Sequence, residues 1–220
     1  MELLKNTFYI NLEKRKDRNE HVLNEFKKLG ISGKRFNAKI AKDGAVGCTL
    51  SHIKLLEIAM EEGYEEIFIC EDDITFLNKE SFINSITKFN KKVKDWDMLL
   101  LGGNVLKPYQ NIEDCCLRIT NCQTTTGYIV RKKYYKTLYN NYKEGLLKLL
   151  KEPNNKREYA IDIYWKKIQP VDKWYLLYPL TVTQYENYSD IEEKVTNYNH
   201  LMLDSEKAWY YRQFKGLQFR

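Results

Sequence analysis

The amino-acid sequence predicts a single α/β domain in which a mostly parallel central sheet is flanked by helices. The chain opens with a strand at 7–12, a helix and a second strand near 34–38, and β-α-β order implies parallel strands joined by a right-handed crossover. Residues 67–70 form a short, β-branched apolar run, which is typical of a strand covered on both faces. No linker divides the chain, so we expect one domain over residues 1–220, with 193–220 as a C-terminal extension.

A turn that contains glycines introduces the second helix. Gly44 and Gly47 precede a helix predicted for 49–62, with Thr49 or Ser51 as its N-cap. Glycines before a helix N-terminus let backbone N–H groups approach an anion, although many ordinary turns have the same spacing.

The rest of the chain alternates helices and strands, which are assigned from apolar runs and turn residues. The predicted elements are helices at 79–93, at 132–150 and from 159 onward, strands at 95–103, 122–130 and 174–178, and a loop over 104–116.

Composition limits the classes of protein that the chain can belong to. With 220 residues, 43% of them hydrophobic, the chain can build a real core and is not disordered by composition. The net charge of +6 favours anionic ligands, but the basic residues occur in scattered pairs that are typical of solvated helix faces, so no nucleic-acid partner is predicted. The five cysteines are odd in number and lack C-x-x-C spacing, which indicates reduced thiols in a reducing compartment.

No segment is predicted to direct the chain into a membrane. The N-terminus lacks the apolar core of about 7–15 residues that marks a secretory signal. No stretch approaches the ~18–20 apolar residues of a membrane span. We therefore expect a soluble, cytoplasmic protein.

Three consecutive acids, Glu71, Asp72 and Asp73, follow the predicted strand at 67–70. Burying them unpaired would cost too much free energy, so they must face water or a cation. Ligands of open α/β sheets gather at the carboxyl ends of strands. We therefore predict that the acids hold a divalent metal and, through it, a diphosphate. The alternation of an extended strand would place residues 71 and 73 on one side and residue 72 on the other.

Other polar residues stand where a nucleotide or a reacting group would lie, although each also has a purely structural interpretation. Arg15 and Arg18 follow the first strand and could contact a nucleotide, or could pair with nearby acids on the surface. His52 could be a catalytic base, or could cap a helix or line a core. Asp162 lies in the first turn of a predicted helix, where an acid also interacts favourably with the helix dipole.

Several blocks of sequence occur in an order and spacing that together are specific. They are 9–12 with Arg15 and 17–18, 30–31, 35–38, the segment Gly-Cys-Thr-Leu-Ser-His at 47–52, the acids at 71–73, 125–130, Asp162, and Gln184 with 189–191. On these blocks the chain resembles glycosyltransferase family 25, which contains the lipooligosaccharide-biosynthesis and procollagen galactosyltransferases. The resemblance runs from about residue 7 to residue 192.

The resemblance implies a fold and a reaction. The fold is of the GT-A type, a single Rossmann-like domain that binds a nucleotide sugar. The reaction is an inverting transfer of a hexose, galactose or glucose, from a UDP-sugar to a hydroxyl group, with Mn²⁺ or Mg²⁺ as cofactor. The acceptor would be a lipooligosaccharide-like glycan or a collagen-like glycoprotein, and a homodimer is left open. A collagen enzyme of the secretory pathway would need targeting and retention signals, so a bacterial-type or viral-type enzyme is the closer comparison.

The resemblance also implies roles for the acids. Asp73 is the expected metal ligand, with Glu71 or Asp72 as the second contact, to the metal or to the ribose. Asp162 is the expected general base, because inversion needs a base on the side opposite the diphosphate, and such a base should come from a distant part of the chain.

A further set of residues is expected to bind the donor. These are Asn11, Arg15, Arg18, Ser51, His52, Gln184, Ser189 and Asp190. Among them, Ser51 and His52 would shape the wall near the nucleotide. Gln184 or Asp190 would close the site over the diphosphate or complete the metal shell.

Two other functions stay open from the sequence. A sugar-nucleotidyltransferase would use the same metal and diphosphate chemistry, but its glycine-rich signature with a basic residue near the N-terminus is missing. A non-catalytic polyanion-binding protein would bind with steep salt dependence and without a metal, whereas the predicted transferase would need Mn²⁺ to bind a UDP-sugar.

Overall fold

An eight-stranded sheet forms the centre of the fold in this computed structural model, which describes residues 2–191 and 193–212. Its strands, in spatial order, are β2 (Gly33–Asn37), β1 (Thr7–Asn11), β3 (Glu66–Glu71), β10 (Gly127–Arg131), β5 (Met98–Leu100), β11 (Trp174–Leu177), β8 (Cys116–Ile119) and β7 (Tyr109–Ile112). Within the described residues, six of these eight strands run in one direction, and β10 and β8 run against them. The prediction of a mostly parallel α/β sheet is confirmed.

Three two-stranded sheets accompany the central sheet in the described part of the chain. They pair β4 (Ile74–Phe76) with β12 (Val182–Gln184), β6 (Asn104–Val105) with β9 (Cys122–Gln123), and β13 (Asn187–Ser189) with β14 (Lys194–Thr196). The first pair places Gln184 opposite Ile74 and so brings a distant part of the chain beside the acids that follow β3.

Helices cover both faces of the central sheet. They are α1 (Lys16–Leu29), α2 (Gly44–Glu61), α3 (Lys79–Lys92), α4 (Tyr135–Lys151), α5 (Lys156–Tyr159), α6 (Ile161–Tyr164), α7 (Asn199–Met202) and α8 (Ala208–Arg212). One apolar cluster joins Leu56 of α2 and Leu138 of α4 to Ile69 of β3, and a second joins Phe26 of α1 to Phe68. Because alternate residues of β3 belong to different clusters, this strand is buried on both faces, as its apolar sequence predicts.

The second helix begins earlier than the sequence predicts. α2 starts at Gly44, because the Asp43 side chain caps it by accepting a hydrogen bond from the Ala45 N–H at 2.8 Å. Thr49 and Ser51 therefore lie inside the helix, where each hydroxyl donates to the carbonyl four residues earlier. The prediction that one of these two residues is the N-cap is wrong.

Gly47 allows a close backbone contact. A Cβ atom at this position would lie 2.5 Å from the Lys39 carbonyl oxygen, too close for any side chain. The Lys39 N–H donates to the Ser51 hydroxyl at 2.8 Å, so the segment before α2 is fixed against the helix. Gly47 thus lies within α2 and serves packing, and it is not part of a turn before the helix.

Two stretches differ from their predicted structure. The single strand predicted at 122–130 is divided into β9 and β10. The loop predicted at 104–116 is wrong, because it contains β6, β7 and the start of β8. β8 pairs with β7 and also with β11, far along the chain, and such long-range pairing leaves little local signal in the sequence.

The C-terminal residues that the structure describes pack against the rest of the domain. β14 pairs with β13, and the buried Lys207 donates from Nζ to the Val105 carbonyl at 2.7 Å. The extension predicted at 193–220 lies only in part within the described residues, which end at residue 212.

Candidate active site

The candidate site lies where β1 and β3 end at the same edge of the sheet. These strands pair in parallel with Ile10 opposite Glu71, so Asn11 lies beside the acids. β3 ends at Glu71, and Asp72 and Asp73 form a turn. This edge is where an open α/β sheet binds its ligands.

Arg18 holds the two aspartates together. Its Nη1 lies 3.1 Å from Asp72 Oδ1 and 3.2 Å from Asp73 Oδ2. Asn11 Nδ2 donates to Asp72 Oδ2 at 2.7 Å. The expected alternation, with residue 72 on the side opposite residue 73, is wrong, because the strand ends before Asp72 and the turn brings both aspartates to one guanidinium.

Asp73 keeps one oxygen without a hydrogen-bond donor. Its Oδ1 is buried and has no partner among the described residues, and the same is true of Gln184 Oε1. Gln184 lies opposite Ile74, and the Tyr185 N–H donates to the Asp73 carbonyl at 2.7 Å, so the two acceptor groups stand on adjacent backbone. Burial, together with the charge of Glu71, raises the pKa of Asp73 to about 8.

These oxygens fit a hard divalent cation. Mg²⁺ and Mn²⁺ prefer carboxylate and amide oxygens, and a cation would supply positive charge where acids crowd together. Asp73 Oδ1 and Gln184 Oε1 could therefore hold such an ion. Asp72 is less available, because one of its oxygens accepts from Asn11 and the other pairs with Arg18.

Glu71 contacts α2 and the segment before β10. Its Oε1 accepts a hydrogen bond from Thr125 Oγ1 at 2.6 Å and lies 3.7 Å from both Cys48 Sγ and His52 Nε2. Its Oε2 lies 3.5 Å from Gln184 Nε2. Burial acts to raise the pKa of Glu71, but His52 and Thr125 hold it below its usual value.

His52 lies behind Glu71 in the interior of the protein. It lies in the middle of α2, fully buried, with its ring stacked on Tyr128 at 5.5 Å between centroids. Its Nδ1 lies 2.6 Å from the Tyr128 hydroxyl, to which the Tyr142 hydroxyl donates at 3.2 Å. Ser51 has no exposed surface either, and its hydroxyl bonds to backbone groups of Lys39 and Gly47.

Arg15 joins the end of β1 to the hairpin of β13 and β14. Its Nη1 donates to Asp190 Oδ2 at 2.6 Å and to the Tyr188 carbonyl at 2.9 Å, while its other nitrogens bond to Asp17. Lys14 Nζ lies 2.6 Å from Asp190 Oδ1. Burial acts to raise the pKa of Asp190, but these two cations hold it below its usual value.

Arg15 and Arg18 are therefore both paired with acids, and both lie beside the candidate site. Arg18 Nη2 donates to the Tyr188 carbonyl at 3.2 Å, the same oxygen that Arg15 contacts. Ser189 follows in β13, opposite Lys194. The hairpin thus contacts both guanidinium groups.

Asp162 belongs to another part of the site. It lies in the first turn of α6, and its Oδ2 accepts a hydrogen bond from the Thr124 N–H at 3.1 Å. Thr124 has a φ of +86°, a conformation that costs free energy for a β-branched residue. Burial raises the pKa of Asp162, and the charge of Glu71 raises it further, so the two carboxylates lie close enough to interact.

Sequence reasoning missed several residues around these acids. Cys48 and Thr125 contact Glu71, and both lie in blocks that carry the family resemblance, so those blocks could have indicated them. Lys166, whose charge acts to lower the pKa of Asp162, follows it by four residues. Only that one-turn spacing could have indicated Lys166.

Known proteins share the sequence pattern. The model of glycosyltransferase family 25 (LPS biosynthesis protein) matches residues 39–209. A "Glycosyltransferase 25 family member" of Anopheles gambiae is 24% identical to this chain in an alignment that covers 87% of this chain and 40% of that protein. A "Probable inactive glycosyltransferase 25 family member 3" of Bos taurus is 23% identical to this chain. That alignment covers 46% of this chain and 22% of the bovine protein. The chain therefore spans two fifths or less of the length of these relatives.

A solved structure shares the fold. The crystal structure of a glycosyltransferase involved in the glycosylation of the major capsid of PBCV-1 superposes with a TM-score of 0.51 at 11% identity, covering 78% of this chain and 79% of that one. None of the helices in the described residues has the length and apolar character needed to cross a membrane. The family match covers well over half of the chain, and we conclude that the chain belongs to glycosyltransferase family 25.

Proposed function

We propose that the protein is an inverting, metal-dependent glycosyltransferase that moves a hexose from a UDP-sugar to a hydroxyl group of a glycan or protein acceptor. The proposal rests on Asp73, which is buried in the turn that follows β3. One of its carboxylate oxygens, Oδ1, accepts no hydrogen bond from any described residue. Membership of family 25 supports the same reaction class. The family's description as an LPS biosynthesis protein favours a glycan acceptor over a collagen-like protein.

The donor side offers oxygen ligands next to guanidinium groups. Asp73 and Gln184 would hold Mn²⁺ or Mg²⁺, with Glu71 as a further carboxylate. Such an ion acts as a Lewis acid that stabilises the charge of the departing diphosphate. Arg15 and Arg18 would contact the same diphosphate by charge-assisted hydrogen bonds.

Donor binding requires the two arginines to exchange partners. Arg15 bonds to Asp190 and to the Tyr188 carbonyl, and Arg18 bonds to the same carbonyl. Diphosphate oxygens would replace these acceptors, so the hairpin of β13 and β14 must shift when the donor enters. The exchange replaces charge-assisted bonds by bonds of the same kind, which keeps its free-energy cost low.

Asp162 would act as the general base for the acceptor hydroxyl. In the sheet, β3 lies between β1, which leads to the arginines, and β10. The segment before β10 contains Thr124, whose N–H donates to Asp162. A base in this position can face the acceptor while the diphosphate leaves toward the arginines. Burial and the charge of Glu71 raise the pKa of Asp162, which makes it a stronger proton acceptor at neutral pH than an exposed aspartate.

The decisive experiment is a panel of UDP-sugars assayed for UDP release with and without Mn²⁺. We expect turnover of UDP-galactose or UDP-glucose that requires the metal and is lost with a chelator. Asp73→Asn should lower this turnover by about 10³-fold or more, since metal stabilisation of a leaving group is worth several kcal/mol. Asp114→Asn, at an exposed acid that pairs with Lys88, is the matched control and should behave as wild type.

The same assay separates the other candidate functions. A nucleotidyltransferase would instead form a UDP-sugar from UTP and a sugar phosphate, with release of pyrophosphate. Metal-independent binding that falls steeply with salt would indicate a polyanion-binding protein. Near-normal turnover in Asp73→Asn would contradict the proposed role of the acids.

A further inference from the structure

A second cluster of metal-ligating side chains adjoins the acids. Cys48 Sγ, His52 Nε2 and Glu71 Oε1 all lie within 4.8 Å of one another. Cys48 and His52 are one helical turn apart on α2, so their side chains project from the same face of the helix. We propose that these three residues form a binding site for a Zn²⁺-class ion, separate from the oxygen site at Asp73.

The distances within the cluster match tetrahedral zinc coordination. Bonds of about 2.3 Å to sulfur and about 2.0–2.2 Å to nitrogen or oxygen place neighbouring ligand atoms roughly 3.4–3.6 Å apart at the tetrahedral angle. Glu71 Oε1 lies 3.7 Å from Cys48 Sγ and 3.7 Å from His52 Nε2. Two edges of a coordination tetrahedron are thus already present to within a few tenths of an ångström.

His52 is held in the orientation that coordination needs. Its Nε2 has no hydrogen-bond partner among the described residues, although the side chain is fully buried. A buried, unpaired nitrogen costs free energy, which a bound ion would recover. Its Nδ1 lies 2.6 Å from the Tyr128 hydroxyl oxygen, which can accept a hydrogen bond from Nδ1–H. In that tautomer the lone pair of Nε2 is free to coordinate.

Glu71 is oriented by a similar neighbour. Thr125 Oγ1 donates to Glu71 Oε1 at 2.6 Å. Hydrogen-bond partners of this kind fix ligand side chains in zinc sites and are part of their affinity. The side chain of Glu71 is 21% exposed, so an ion can reach the cluster from this side.

Binding exchanges one proton for the ion. In the metal-free protein the Cys48 thiol donates to Glu71 Oε1. The ion binds the thiolate and the thiol proton passes to solvent, so each ion taken up releases one proton. Three protein ligands leave the fourth tetrahedral position to water.

Ligand chemistry separates this site from the oxygen site. Thiolate and imidazole ligands select Zn²⁺ or Co²⁺, whereas carboxylate and amide oxygens select Mg²⁺ or Mn²⁺. Glu71 stands between the two sites, because Oε1 faces Cys48 and His52 while Oε2 lies 3.5 Å from Gln184 Nε2.

Co²⁺ is the probe that tests the site, because a thiolate bound to Co²⁺ gives a charge-transfer band in the near ultraviolet that oxygen ligands do not give. The full chain, freed of metal and kept reduced with a phosphine, is titrated with Co²⁺ and then with Zn²⁺. We expect one equivalent of Co²⁺ to produce the band and Zn²⁺ to remove it by displacement. Cys48→Ser should abolish the band and weaken Zn²⁺ binding at least about tenfold.

Matched variants make the result interpretable. Cys115→Ser, at a buried cysteine far from the cluster, should keep the band. Asp73→Asn should also keep the charge-transfer band. The test of the thiol site is therefore independent of the test of the proposed transferase function. If Cys48→Ser unfolds, His52→Asn provides the second test, with loss of the intense visible bands of tetrahedral Co²⁺. A wild-type protein without the band, or a band that survives in a folded Cys48→Ser variant, would overturn the proposal.

Discussion

The two sides of β3 hold their carboxylates in different ways. On the β1 side, Asp72 and Asp73 share the guanidinium of Arg18, and Asn11 bonds to one of them. On the β10 side, Asp162 accepts from a backbone N–H and forms no ion pair within 4.0 Å among the residues that the structure describes. The first arrangement places two carboxylates on one guanidinium. The second holds a carboxylate by a backbone N–H. Each side can be tested by removing the side chain that distinguishes it.

Among the variants that compare the two sides, Asp162→Asn should have the largest effect, because it removes the proposed proton acceptor and keeps the shape of the side chain. Loss of a general base lowers kcat by about 10²–10⁴-fold. The dissociation constant for the UDP-sugar should stay close to the wild-type value. Steady-state kinetics and calorimetric donor titration check the two quantities, with Glu158→Gln, at an exposed acid of α5, as the control. If donor binding weakens and kcat does not change, the assignment of the base is wrong.

On the β1 side, Arg18→Met should destabilise the protein strongly. The substitution leaves Asp72 and Asp73 buried without their shared cation, and breaking a buried ion pair costs about 3–5 kcal/mol. Mn²⁺ should restore more stability to this variant than to the wild type, because the ion replaces the missing positive charge. Urea unfolding with and without Mn²⁺ measures both effects, and Arg157→Met serves as the exposed control. Equal stabilisation of variant and wild type by Mn²⁺ would argue against a cation at these acids.

Ser51→Ala separates a structural role from a direct contact with the donor. The Lys39 N–H would lose its acceptor, and the loss of this partly buried hydrogen bond should cost about 0.5–1.5 kcal/mol. The KM for the UDP-sugar should stay within about twofold of the wild type, because Ser51 has no exposed surface. Thermal unfolding and donor kinetics are compared with Ser32→Ala, an exposed serine. A large rise in KM at unchanged stability would show that Ser51 touches the donor after all.

The smallest effect is expected at the hairpin, where Asp190→Asn removes partners of Lys14 and Arg15. These groups are partly exposed, so the loss should be about 1 kcal/mol or less. The folded-state pKa of Asp190 is lowered, so its contribution is complete above the unfolded value of about 3.9 and disappears as the pH falls through the folded value.

Hydrogen exchange in β13 measures this contribution. Wild-type protection should be constant down to about pH 4 and fall below it, whereas Asp190→Asn should show the reduced protection already at pH 7. Protection in the variant that equals the wild type at neutral pH would mean that the ion pairs do not hold the hairpin.

The elements that could be predicted are those that carry a local signal. β3 is an apolar run, and α1 ends at Gly30, whose φ of +66° suits glycine. The start of α2 was missed, because the cap is Asp43 and the glycine after it is helical. β8 was missed, because its partner β11 lies far along the chain.

In the candidate site, too, only the residues with a local sequence signal could be predicted. The three acids were visible because charge at the end of an apolar run is unusual, and their edge of the sheet followed from topology. Their partners were not visible. Arg18 and Asp72 are 54 residues apart, and Thr125 and Glu71 are likewise 54 apart. Only the fold brings such pairs together, and so it decides which acid is paired and which oxygen is left open.

The direction of β10 has a consequence for how the protein can diversify. Because β10 runs against β3 and β5, it begins at the edge where they end, and the segment at 122–126 enters the sheet at the site. The chain before it includes the hairpin of β7 and β8, which forms the far edge of the central sheet and is separated from β3 by β10, β5 and β11. A change in the length of the turn between β7 and β8 therefore need not move the ends of β1 and β3, where the acids lie.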